Sequence, residues 1–83
     1  MIVIQYTTAG CHLCEQALAL LEETSKINDI NIKLVEIGDD DNLVNQFGVH
    51  IPVVEFPDQQ RLYWPFDLTE LNQKIQEQSS SYT

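Results

Sequence analysis

Tyr6-Thr7-Thr8-Ala9-Gly10-Cys11-His12-Leu13-Cys14 joins an apolar run, Ile2-Val3-Ile4, to an amphipathic run that continues to about Ile27. A strand that stops at a glycine and hands two cysteines, spaced C-x-x-C, to the first turn of a helix is an arrangement for redox chemistry. A thiolate at a helix N-terminus faces unpaired backbone N–H groups and the positive end of the helix dipole, which lowers its pKa below the free value of about 8.5. The second cysteine, three residues on, falls one turn along the same face, within reach of a disulfide. The expectation is a dithiol–disulfide exchange site, with Cys11 and Cys14 as its catalytic pair.

The bulk properties are consistent with that expectation. The chain has 83 residues, room for one domain, expected over residues 1–78 with a disordered tail at 79–83. A chain this short buries only about 60–65% of its unfolded surface, so the core must be compact. Thirteen acidic residues stand against Lys26, Lys33, Arg61 and Lys74, giving a net charge of −9. Four scattered cations cannot neutralise many phosphates, so neither nucleic acid nor an anionic membrane is an expected partner. No apolar run approaches the ~20 residues of a membrane span, and Met1 leads straight into a strand-like run without a basic leader. A cytoplasmic, monomeric protein is expected. With only two cysteines so close together, a disulfide closes too small a loop to stabilise the fold much.

Taken in order, residues 2–6 read as a strand covered on both faces. His12 to about Ile27 reads as a helix whose apolar set is Leu13, Ala17, Leu20, Leu21 and Ile27. Residues 31–37 read as a second strand holding Ile32, Leu34 and Val35, with Ile37 at its end. Asp39-Asp40-Asp41 before Asn42–Phe47 and Gly48 read as the cap and stop of a short helix rather than as a metal site. Residues 49–56 read as a strand containing Pro52, and Arg61–Trp64 as its hairpin partner across the turn at 57–60. Asp67 and Glu70 form the capping-box pattern of a last helix, with Phe66 placed to staple to Leu71, and Leu68, Leu71 and Ile75 as its stripe. Gln76 to Thr83 is polar and is expected to fray. The order β-α-β-α-β-β-α gives an α/β fold, a four-stranded mixed sheet flanked by three helices.

Pro52 inside an apolar strand has two readings. It is an edge or strand-start proline, or it is a cis proline that turns the Ile51 backbone outward toward an extended substrate. Two further classes of function stay open: a non-catalytic module that binds peptides at Ile51–Pro52, and a metal or cluster site through Cys11 and Cys14 with His12 or His50. The second pair of ligands that a structural zinc site needs is missing, so no metal is expected.

The aromatic-x-x-x-x-Cys-x-x-Cys at the end of the first strand and the Val49-x-Ile51-Pro52-Val53 about 40 residues later resemble the thioredoxin superfamily. The short length, the element order, the Ala-Gly-Cys-His-Leu-Cys run and the Trp64-Pro65-Phe66-Asp67 before the last helix resemble its small bacterial glutaredoxin-like branch, over about residues 2–77. The resemblance implies the thioredoxin-like fold. It also implies a thiol-disulfide oxidoreductase with Cys11 as nucleophile, Cys14 as resolving cysteine, and Pro52 as a cis proline that binds substrate together with Ile51. The partners it implies are a protein or small-molecule disulfide and a thiol reductant or reductase. His12, between the cysteines, is a candidate for tuning the thiolate. Glutaredoxins commonly carry a lysine before the motif, where this chain has Thr7 and Thr8, and an open Gly-Gly turn where it has Tyr63-Trp64-Pro65-Phe66. No resident cofactor is expected, and glutathione specificity does not follow.

Overall fold

The computed structural model describes residues 1–80. Its elements are β1 (Ile2–Thr7), α1 (His12–Ser25), β2 (Asn31–Glu36), α2 (Asp41–Phe47), β3 (Val53–Glu55), β4 (Arg61–Tyr63) and α3 (Leu68–Ser80). The sheet order is β2-β1-β3-β4. β1 and β2 run parallel, from Ile2↔Asn31 to Thr7↔Glu36, while β3 is antiparallel to both β1 and β4. The register Tyr6↔Val53↔Tyr63 brings the end of β1, the start of β3 and the end of β4 to one edge of the sheet. The Cys11 helix begins at that end.

Alternation along the strands sorts two cores. Val3 and Val54 face α1 and α3, where Ala17, Leu21, Leu71 and Ile75 complete the larger cluster. Val53 faces the other way, with Ile37 and Phe47, and Tyr6, Leu43 and Ile51 pack around them. α2 has seven residues, about 10 Å of helix, against about 20 Å for the six-residue β1. It therefore covers only the Cys-bearing end of its face. β1 is not covered on both faces along its length: Ile2 is 57% exposed, and Ile2 and Ile4 line an open groove with Lys33 and Glu55.

Several expected details shift. The buried stripe of α1 is Cys14, Ala17, Leu21 and Thr24, while Leu13 and Ile27 are exposed and the helix ends at Ser25. Leu34 is also exposed, because β2 is an edge strand. β3 starts only at Val53, so Pro52 precedes the strand rather than interrupting it. The reason lies in the chain leaving α2: the N–H groups of Gly48, His50 and Ile51 go to Val44 and Phe47 carbonyls, and Pro52 has none to offer a ladder. α3 runs past the expected fray, because Gln78 is buried and its Oε1 accepts the Asp58 N–H at 3.2 Å. Residues 81–83 of the expected tail lie outside the described residues.

The caps match the reading. Asp40 Oδ1 accepts the Asn42 and Leu43 N–H groups at the head of α2. At α3 the box closes both ways, Glu70 N–H to Asp67 Oδ1 at 2.8 Å and Asp67 N–H to Glu70 Oε1 at 3.3 Å. Phe66 and Leu71 share the larger core.

Candidate functional site

The loop from Thr8 to Gly10 makes the turn out of β1, and Gly10 takes φ +79°, a conformation L side chains rarely adopt. Cys11 follows as the N-cap of α1 in extended geometry, and its Sγ accepts the Cys14 N–H at 3.1 Å. The two sulfurs are bonded to each other, with Cα atoms 5.2 Å apart. The cysteines differ in access. Cys11 is half-buried, whereas Cys14 is 3% exposed and belongs to the buried stripe. An outside reagent meets Cys11 first.

Beneath them lies a residue the sequence did not single out. Gln5, buried on β1, donates from Nε2 to the Cys14 carbonyl at 2.9 Å. The only signal for it was a polar residue inside an apolar strand run, six positions before Cys11.

His12 sits elsewhere than a thiolate-tuning role asks. Its side chain is 89% exposed and its Nδ1 faces Glu15 Oε2 at 3.6 Å, on the solvent side of the helix. His50 packs edge-on against Tyr63, with ring centroids 5.5 Å apart. Among the described residues no group of three His, Cys, Asp or Glu side chains is placed to hold a metal ion.

The Ile51–Pro52 peptide bond is cis and lies at the same end of the sheet as Cys11, immediately before Val53. The Ile51 N–H is not turned out to solvent, since it donates to the Phe47 carbonyl at 2.9 Å. Within this peptide unit it is the Ile51 carbonyl that has no main-chain donor among the described residues and is open to an extended ligand. A second cis bond, Trp64–Pro65, went unread in the sequence. Trp64 and Phe66 meet edge to face at 5.1 Å, with Phe66 in the core, so aromatic rings fill the place of the open turn.

A parallel β-α-β unit, an antiparallel hairpin, and a Cys11–Cys14 disulfide at a helix N-terminus, at the same end of the sheet as a cis proline, define a protein of the thioredoxin-like class. The chain belongs to the glutaredoxin-like domain (DUF836) family, whose model matches residues 2–76. Among solved structures it is similar to target protein XcR50 of X. campestris, at 31% identity. The X-ray structure of that protein superposes at TM-score 0.82 over 90% of this chain and 96% of that one. Its solution structure gives 0.81 over 93% and 95%. Thioredoxin 1 of Thermosipho africanus, at 20% identity, shares the fold at TM-score 0.74 over 99% and 98% of the two chains. A search of the curated proteins gives no match. Among the described residues no helix is long and apolar enough to cross a membrane.

Proposed function

We propose that the protein is a thiol-disulfide oxidoreductase that works through Cys11 and Cys14. The observation that carries this reading is the asymmetry of the pair: an accessible sulfur at a helix N-cap, bonded to a buried one in the first turn. In the reduced protein a Cys11 thiolate would keep the Cys14 N–H as a donor and sit at the positive end of α1, which stabilises the anion.

The Cys11 thiolate attacks one sulfur of a substrate disulfide, forming a mixed disulfide and expelling the other sulfur as a thiolate. Cys14, deprotonated, then attacks Cys11 Sγ, forming the Cys11–Cys14 bond and releasing the second substrate thiolate. Two electrons pass from the dithiol to the substrate, and a thiol reductant or reductase restores the dithiol. Pro52 is fully buried and offers no face to a ligand, so the expected role of Pro52 in substrate binding narrows to holding Ile51, whose carbonyl lines the approach for an extended substrate beside Val53 at the Cys11 end of the sheet. No cofactor takes part in this scheme. The chain acts alone, as a monomer, with a protein or small-molecule disulfide.

Turnover of 2-hydroxyethyl disulfide or insulin is the test. Cys11→Ser is expected to abolish it, and Cys14→Ser to accumulate a mixed disulfide visible by intact mass. Wild-type rates from Cys11→Ser would overturn the reading.

A further inference from the structure

Glu36 ends β2 opposite Thr7. Its Oε1 accepts the Thr8 hydroxyl at 2.7 Å and the Gly38 N–H at 2.8 Å. These hydrogen bonds, that of Thr8 foremost, hold the carboxyl below the usual glutamate range. The cradle leaves little room: a Cβ at Gly38 would lie 2.7 Å from Glu36 Oε1. Glu36 is thus a fixed negative charge tied to the loop that delivers Cys11. Three residues of chain separate Thr8 from Cys11 and span at most about 11 Å, so the carboxylate stands within roughly 15 Å of the Cys11 backbone, well inside the Debye length of about 30 Å at about 0.01 M salt.

The surrounding charges reinforce it. Asp39, Asp40 and Asp41 follow Gly38 directly, and Glu15 is one residue beyond Cys14. None of the four cations adjoins Cys11 in sequence, and the one that reaches toward this end of the sheet is paired. Lys26 is at the far end of α1, and Lys33 lines the open groove with Met1 and Ile2. Arg61, at the start of β4, has its guanidinium over the Phe47 ring at 5.0 Å and paired with Glu55 at 2.8 Å, so its charge is met locally, and Lys74 donates to Gln60 in the hairpin turn.

We propose that Glu36 is a specificity-determining residue of the dithiol site, selecting disulfides that carry positive charge and disfavouring anionic ones such as glutathione disulfide. The proposal rests on the exchange reading above and adds a substrate class to it: a cationic small disulfide, or a protein cystine flanked by lysine or arginine. Glu36 acts through space on the approaching substrate and takes no part in the exchange itself, whose atoms and electrons balance as already written.

The experiment compares wild type with Glu36→Gln on three small disulfides: cystamine, a dication; 2-hydroxyethyl disulfide, neutral; and glutathione disulfide, an anion. The amide retains an oxygen that accepts from Thr8 and Gly38, so the loop keeps its anchor. At low salt, kcat/KM relative to the neutral substrate should fall about two- to fivefold for cystamine and rise by a similar factor for glutathione disulfide. The difference should shrink at about 0.2 M salt. The neutral substrate absorbs any general change in Cys11 reactivity or in folding. Equal changes across all three substrates would overturn the proposal and leave the exchange reading standing. Failure of the wild-type protein to turn over any of the three would overturn the exchange reading, and the proposal with it.

Discussion

Gln5 shows how a single side chain escapes sequence logic. Ile2-Val3-Ile4-Gln5-Tyr6 reads as a strand covered on both faces, which gives no reason to prefer the Val3–Gln5 face. In the structure α1 and α3 cover that face, while α2 is too short to cover Ile2 on the other. Gln5 is consequently 1% exposed, and its Oε1 has no hydrogen-bond partner among the described residues. An orphaned buried polar atom costs about 1–3 kcal/mol, while a single hydrogen bond such as Nε2 to the Cys14 carbonyl is worth about 1. The Cys14 carbonyl also keeps its helical i+4 donor. Gln5→Leu is therefore expected to stabilise the oxidised protein by about 1 kcal/mol in urea unfolding. A loss of about 2 kcal/mol or more would mean that Oε1 is bonded in solution. The cysteines themselves were legible because C-x-x-C carries its own geometry. His12 was not: spacing places it beside the cysteines, but only the rotamer, which swings it to Glu15, decides what it touches.

At the scale of elements, every helix and strand expected from the sequence is present, and the misreadings fall at ends and faces. α1 was read by hydrophobicity, which chose Leu13 and Ile27. The helix instead buries Cys14 and Thr24, because Thr24 bonds through Oγ1 to Asn72 Oδ1 of α3, and Asn28 Nδ2 reaches the same oxygen at 3.2 Å. A polar contact between two helices has no hydrophobic period to announce it. β3 is shorter than its sequence suggests, since the apolar character of Val49-His50-Ile51 does not reveal that the main chain there still serves the end of α2. The caps were legible, because their donors and acceptors lie within three residues of each other. Asp67 is expected to contribute accordingly: Asp67→Ala should cost about 1 kcal/mol, read as a lower urea midpoint at unchanged m-value, and Asp67→Asn much less. Equal stability of all three would place the start of α3 under the control of Phe66 and Leu71 packing rather than of the box.

Over the whole molecule, charge sets the environment of both fold and site. Lys26, Arg61 and Lys74 are paired with Glu23, Glu55 and Glu77, which leaves most of the thirteen acidic residues facing one another across a small surface. Single ion pairs at a surface are worth little even where, as at Arg61–Glu55, one partner is largely covered, so their screening by salt is outweighed by relief of self-repulsion at net charge −9. Thermal unfolding at pH 7 should therefore shift upward as sodium chloride is added, contrary to a fold held by its salt bridges. Acidification removes negative charge and, with it, self-repulsion. Glu36 and Asp58 resist longer, Glu36 through its Thr8 and Gly38 donors and Asp58 through the Gln60 N–H and Gln78. Their folded-state pKa values lie below the unfolded ones. The stability they contribute is present above the unfolded values of about 4 and is lost as pH falls through the lowered ones. Tyr6 works from the other side. Burial and the neighbouring Glu55 raise its pKa, so its contribution is complete below about pH 10 and is lost as pH rises through the raised value. Glu36→Gln separates the local from the global contribution: it should flatten the acid limb below about pH 4 while leaving the alkaline limb unchanged. An acid limb identical to wild type would show that the Thr8–Gly38 cradle around Glu36 does not hold the carboxylate in solution.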